Sequence, residues 1–173
     1  MAGKEKQMIT EQEMLRLTTK NVQGLAYKLT GNSSDAEDLA QEALIRAVGS
    51  LAGFKGESKV ETWVHRITVN TWNNMVRDNK TKVTWDTEPI SSQTQWNEKS
   101  TESIVESNEL TSTVREAVNN LDKDDKEIII LRDFEYKSYK EMAVILSIPI
   151  GTVQSRLSRA RKELGNILAP FGV

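Results

Sequence analysis

The sequence has no cysteine, a single histidine (His65) and three prolines among 173 residues. That excludes disulfides, thiolate nucleophiles and zinc sites built from Cys and His. No apolar run approaches the roughly 20 residues a membrane helix needs. The start, Met1-Ala2-Gly3-Lys4-Glu5-Lys6, is polar and leads into a charged stretch over residues 9–17, unlike a secretory signal. A cytoplasmic chain without membrane insertion is therefore expected. The nearest match to a phosphate-binding loop, Gly53-Phe-Lys-Gly56, lacks the Gly-x4-Gly-Lys-Ser/Thr spacing, so nothing points to an enzyme or a cofactor. There is no internal repeat and no convincing strand alternation.

What is present is helical patterning in two blocks. Hydrophobic residues make up 38% and charged residues 28%, which suits a soluble globular chain but supplies little apolar material for one large core. Residues 9–79 carry helical periodicity, and residues 110–170 return to it. Between them, residues 80–109 are dominated by Ser, Thr, Asn, Gln and acids and read as a polar linker without a core of its own. The expected fold is all-α: two small helical domains joined by a flexible connector. The run Ile128-Ile-Ile-Leu131 would pass as a strand alone, but it sits inside a longer 3.6-residue pattern.

The net charge of −2 does not advertise a nucleic-acid binder. Its distribution is more telling: residues 1–79 are neutral, residues 80–112 carry −3, and residues 113–173 carry +1. Arg156, Arg159, Arg161 and Lys162 cluster within a seven-residue stretch. A phosphate backbone feels local charge within a Debye length of roughly 8–10 Å rather than the total.

Two capping boxes punctuate the helices, Ser34-Asp-Ala-Glu37 and Ser138-Tyr-Lys-Glu141. After the second, the chain reads as helix, tight turn at Ser147-Ile-Pro-Ile-Gly-Thr152, and helix, with Pro149 and Gly151 ending one helix and starting the next. On the last helix Val153, Leu157, Ala160 and Leu164 share one face, while Ser155, Ser158, Arg159 and Lys162 lie opposite, flanked by Gln154, Arg161 and Arg156. Arginine suits guanine edges, glutamine suits adenine, serine serves either, and the other cations suit phosphates. With Thr152, these residues define the reading helix of a helix-turn-helix. The alternative is a solvated charged face on an ordinary helical hairpin; the cap, the turn and the segregated basic face together favour DNA.

In the first block, Ala36, Leu39, Ala40, Ala43, Leu44, Ala47 and Leu51 form an apolar face, and Asp35, Asp38 and Glu42 form an acidic stripe beside Ile45. Three acids on one stripe repel, so they suit either a basic protein partner or a merely solubilising surface. Next, Val60, Trp63, Val64, Ile67, Thr71 and Met75 are expected to line the inner face of a helix, with His65, Val69, Trp72 and Val76 on its outer side. Phe54, Lys55 and Lys59 in the preceding loop, followed by Trp63, Arg66, Asn70, Asn73 and Arg77 along one stripe, interleave aromatics with cations. That combination suits single-stranded nucleic acid, where bases stack and phosphates pair. Trp63 alone fits a core tryptophan equally well.

Tyr27-Lys-Leu-Thr-Gly31, Asp35-Ala-Glu-Asp-Leu-Ala-Gln-Glu42, Phe54-Lys-Gly-Glu-Ser58, Thr62-Trp-Val-His-Arg-Ile67 and Asn70 resemble region 2 of the extracytoplasmic-function (group IV) sigma factors of the sigma-70 family. Leu121, the 128–131 run, Tyr139-Lys-Glu-Met-Ala143, Ile148-Pro-Ile-Gly-Thr-Val153 and Arg159-Ala-Arg161 resemble region 4, and the resemblance spans about residues 13–168. It implies a bacterial alternative sigma factor, monomeric when free, that binds core RNA polymerase through its clamp coiled coil and flap. Asp35, Asp38, Glu42 and Ile45 would dock on the clamp. The 54–59 loop and the helix over 62–77 would open the minus-ten element and capture a flipped base. The last helix would read the minus-thirty-five element, the acidic linker would thread toward the polymerase active-site and RNA-exit channels, and an anti-sigma factor would hold the protein inactive. The chain departs from the pattern at Asn74, usually Asp, and at Trp72, usually small, which suits either a partner contact or packing against the N-terminal helix. Two rival readings are a helix-turn-helix regulator and a sigma-like adaptor that does not itself drive initiation.

Overall fold

The computed structural model describes the backbone of residues 9–83 and 105–172, and the side chains of residues 9–79 and 110–172. The chain divides into two compact units, one on each side of residues 92 and 93, and among the described residues every regular element is helical. The connector expected over 80–109 lies mostly outside the described residues. Its ends are helical: α3 runs on to Val83 and α4 begins at Val105.

The first unit contains α1 (Glu11–Thr30), α2 (Ser33–Ser50) and α3 (Val60–Val83), mutually packed. Thr10 caps α1, accepting from the Glu13 amide, with Glu11 and Glu13 set against the positive end of the helix dipole. Gly31 closes α1 in the left-handed conformation (φ 81°), its N–H donating to the Tyr27 carbonyl, a geometry only glycine adopts without strain. The core is Met14, Val22, Leu25, Ala26 and Leu29 of α1 against Leu39, Ala40, Ala43 and Ala47 of α2 and Val64 and Val69 of α3. The alanines let α2 approach closely.

Two local expectations are corrected. The cap of α2 is Asn32, not Ser34: the Asn32 side-chain oxygen Oδ1 accepts from the Asp35 amide at 2.8 Å, and its Nδ2 donates to the Asp35 carboxylate at 2.7 Å. This Asn–Asp exchange takes the place of the Ser–Glu box and leaves Ser33 and Ser34 inside the first turn. The buried face of α3 is also rotated from the expected one. His65, Val69 and Trp72 are buried with Val60, Val64, Thr62, Thr68 and Thr71, while Trp63, Ile67 and Met75 sit half-buried at the edge. Thr68 and Thr71 donate to the carbonyls of Val64 and Ile67, so these threonines enter the core with their hydroxyls satisfied. Trp72 therefore packs within the bundle.

The second unit contains α4 (Val105–Asn119), α5 (Lys123–Ile129), a π-helical turn (Ile130–Phe134), α6 (Tyr139–Leu146) and α7 (Ile150–Leu168). The residues over 128–131 are all buried, and the helix carrying them widens into the π turn, where the Glu135 N–H reaches the Ile130 carbonyl. A helix buried on every side explains why its sequence imitates a strand. The chain then passes through Tyr136 at φ 52°, a left-handed non-glycine residue, and α6 starts on the full Ser138–Glu141 capping box. Ser147, also left-handed (φ 55°), ends α6, and Pro149 caps α7. Gly151 lies inside the first turn of α7 rather than in the connection.

α5 buries an ammonium. Lys126 is 8% exposed, and burial pushes its pKa from 10.5 down to about 8. The folded chain thus binds fewer protons than the unfolded one between these values, so this group costs stability at pH 7 and stops doing so as pH rises through 10.5. Lys126→Met is expected to stabilise the second unit by about 1–3 kcal/mol at pH 7, with the gain shrinking toward pH 10. Thermal melts at both pH values check this; an equal gain at each would contradict it.

Candidate nucleic-acid and polymerase interfaces

α7 is built as a two-faced helix. Val153, Leu157 and Ala160 are fully buried against the rest of the second unit, with Met142 and Ile145 of α6 beside them in the core. Gln154, Ser155, Ser158, Arg159, Arg161 and Lys162 are exposed, and Thr152 and Arg156 are half-buried at the margin. The structure thus brings every residue expected of the reading helix to the outside of one element.

Its arginines are not bare. Arg159 donates to Asp125 of α5. Arg161 donates through Nε and Nη2 to both carboxylate oxygens of Asp133 in the π turn. Arg156 lies 3.8 Å from Asp124. The carboxylates hold Arg159 and Arg161 above the ordinary guanidinium pKa. Asp124 is held below the usual carboxylate range, first by its hydrogen bond from Lys123 and then by the nearby guanidinium groups. Asp125 and Asp133 sit 34 and 28 residues before their arginines, separations at which no sequence pattern pairs them.

In the first unit, the acidic stripe of α2 faces outward: Asp35 and Asp38 are exposed, Glu42 is half-buried, and Ile45 is 67% exposed, a large apolar side chain left in water. Glu42 is not a lone acid, because Arg46 one turn on donates to it at 2.6 Å. The Glu-to-Arg spacing of four was the signal for that pair. Along the opposite flank of α2, Gln23, Tyr27, Ala36, Glu37, Ala40 and Gln41 line a groove of about 300 Å³ between α1 and α2, which periodicity alone does not reveal.

Along the stripe on α3, Asn70 and Arg77 are exposed, and Arg66, Asn73 and Trp63 are half-buried. The loop folds back so that the Phe54 ring lies 5.1 Å from that of Trp63, tilted 45°. Lys55 and Lys59, in the stretch between the two aromatics, are exposed. The two candidate stacking residues form one platform rather than two separate ones.

A helix-turn-helix with a basic outer face, on a chain that also carries a three-helix unit with an acidic stripe and an aromatic platform, defines a DNA-binding transcription protein. Residues 15–82 match the family model of sigma-70 region 2, and residues 112–164 match that of sigma-70 region 4. The chain is 36% identical over 145 residues to the ECF RNA polymerase sigma-E factor of Haemophilus influenzae, covering 80% of this chain and 77% of that protein. It is 31% identical over 158 residues to the RNA polymerase sigma-H factor of Pseudomonas aeruginosa, covering 86% and 80%. Among solved structures, the sigma factor RpoE of Bartonella quintana, crystallised with the anti-sigma factor NepR, matches with a TM-score of 0.70 at 25% identity, over 91% of this chain and 96% of that one. The chain belongs to the extracytoplasmic-function RNA polymerase sigma factors of the sigma-70 family. It is an alternative sigma factor, which binds core RNA polymerase and promoter DNA and directs transcription initiation. No helix among the described residues is long and apolar enough to cross a membrane.

Proposed function

We propose that the labour of initiation is divided between the units. Residues 9–79 bind the polymerase clamp coiled coil through Asp35, Asp38, Glu42 and Ile45 of α2. They melt the minus-ten element with Phe54, Lys55, Lys59, Trp63, Arg66, Asn70, Asn73 and Arg77. Residues 110–170 engage the flap and read the minus-thirty-five element with Thr152, Gln154, Ser155, Arg156, Ser158, Arg159, Arg161 and Lys162. Residues 80–109 link them, so that once one unit is bound the other acts at a high effective concentration. The observation that carries this is the segregation on α7: a fully buried apolar face opposite an exposed row of Gln, Ser, Arg and Lys.

The chemistry fits. Extruding a base costs a few kcal/mol, and a stacking platform such as Phe54 on Trp63 offsets that cost at about 1–3 kcal/mol per base. No residue of this chain needs to do catalysis, since polymerase makes the bonds. The protein acts in the bacterial cytoplasm, is monomeric when free, and is restrained by an anti-sigma factor, as the Bartonella relative is crystallised with one. In vitro transcription with core polymerase and a promoter library tests the reading. Initiation from a defined promoter class is the expected result; failure on every template of its host, with no inhibitor present, would overturn it in favour of a sigma-like adaptor.

A further inference from the structure

The acid–arginine contacts of the second unit are not equivalent. Arg156 and Asp124 are 3.8 Å apart with both side chains at least one-third exposed, a loose surface pair. Arg161 and Asp133 form a two-bond fork between α7 and the π turn, again with both partners accessible to water. Asp125 differs. Its side chain is only 8% exposed, while that of its partner Arg159 is 64% exposed. A carboxylate so enclosed has little access to water, and the guanidinium supplies its hydrogen bond. The guanidinium is not used up in return. It carries five N–H donors in a rigid planar fork, and the bond to Asp125 engages Nη2.

We infer that Asp125 is a positioning residue for Arg159: from inside α5 it fixes one end of the guanidinium so that the remaining donors meet a single base pair of the minus-thirty-five element. The inference rests on the reading that α7 recognises that element. The physical reason is rotamer entropy. A free arginine on an exposed helix face samples many conformers, and ordering it on contact with a base subtracts from the discrimination the contact supplies. An arginine already tied at one end has lost that freedom in the unbound protein. The tie also makes it a poor roaming phosphate contact, so its contribution is confined to the sequence it fits. The arrangement requires that the acid be buried, because an exposed carboxylate would move with the side chain it holds.

The test uses the full chain assembled with core RNA polymerase and a duplex library randomised upstream of a fixed minus-ten segment, with bound DNA sequenced. Wild type, Arg159→Ala, Asp125→Ala, Asp125→Asn and the Asp125→Ala/Arg159→Ala double variant are compared. Arg159→Ala is expected to flatten preference at one position by about tenfold, the value of one bidentate base contact. Asp125→Ala is expected to flatten preference at that same position to a similar extent, and the double variant to add nothing further. Asp125→Asn, whose neutral amide oxygen still accepts the bond, is expected to fall between. Should Asp125→Ala fail to fold, the asparagine variant decides: an unchanged profile overturns the inference. A uniform loss on all sequences from Asp125→Ala, without change at the Arg159 position, also overturns it, since a mere packing role predicts that. If Arg159→Ala itself leaves every preference intact, it is the reading of α7 that fails.

Discussion

Reversing Asp38 and Glu42 together (Asp38→Arg, Glu42→Arg) should abolish co-purification with core RNA polymerase while leaving the first unit folded. Asp38 is exposed and Glu42 half-buried, and neither lies in the core formed by Leu39, Ala40, Ala43 and Ala47, so the substitutions do not touch packing. The local cost is small. Glu42→Arg exchanges the ion pair with Arg46 for a like-charge pair at i,i+4, worth a few tenths of a kcal/mol. The cost at an interface is large, because like charges brought together across a desolvated contact cost several kcal/mol. Two reversals should therefore weaken association by at least about 4 kcal/mol, roughly a thousandfold. Pull-down with core polymerase and a thermal melt of the variant check the two halves of this statement. Undiminished pull-down would show that α2 docks elsewhere, the 300 Å³ groove between α1 and α2 being the next surface to examine.

Arg159→Ala should weaken holoenzyme binding to its promoter roughly tenfold or more and relax preference within the minus-thirty-five element. The structure adds a second consequence. The substitution removes the partner of the enclosed Asp125 carboxylate, so the second unit should also melt at a lower temperature. The two effects separate with Arg159→Lys, which keeps the charge but loses the planar fork. If Arg159 reads a base, lysine restores affinity for DNA in general but not the sequence preference. If it contacts only phosphate, Arg159→Ala will weaken binding equally on every sequence and flatten the salt dependence by about one phosphate contact.

The helices and their caps were legible where the signal is local. The Ser138–Glu141 box, the two-sided pattern of α7 and the alanine-rich inner face of α2 follow from spacings of three and four residues, which sequence carries directly. α3 was less legible. Its core is made partly of Thr62, Thr68 and His65, which count as polar in a hydrophobic pattern, beside Thr71, which the pattern did place inward. Only the packing of α1 and α2 around it buries this face, and the hydroxyl bonds of Thr68 and Thr71 to the preceding turn make burying those two threonines inexpensive. The cap of α2 was misplaced because Asn32 and Ser34 are both good cap residues, and backbone geometry chose between them.

The sequence by itself determined that this chain is helical and that its two blocks carry different surfaces: an acidic stripe on α2, an aromatic and basic stripe on α3, and a polar, basic face on α7. Those are properties of periodicity and charge along one element at a time. Tertiary structure alone decided that Phe54 folds onto Trp63, which way α3 turns its broad face, and that Arg159 and Arg161 pair with Asp125 and Asp133. Each of these joins residues on different elements. Electrostatic and packing energies depend on distance in space, so a pair 34 positions apart acquires its meaning only when α5 and α7 are laid side by side.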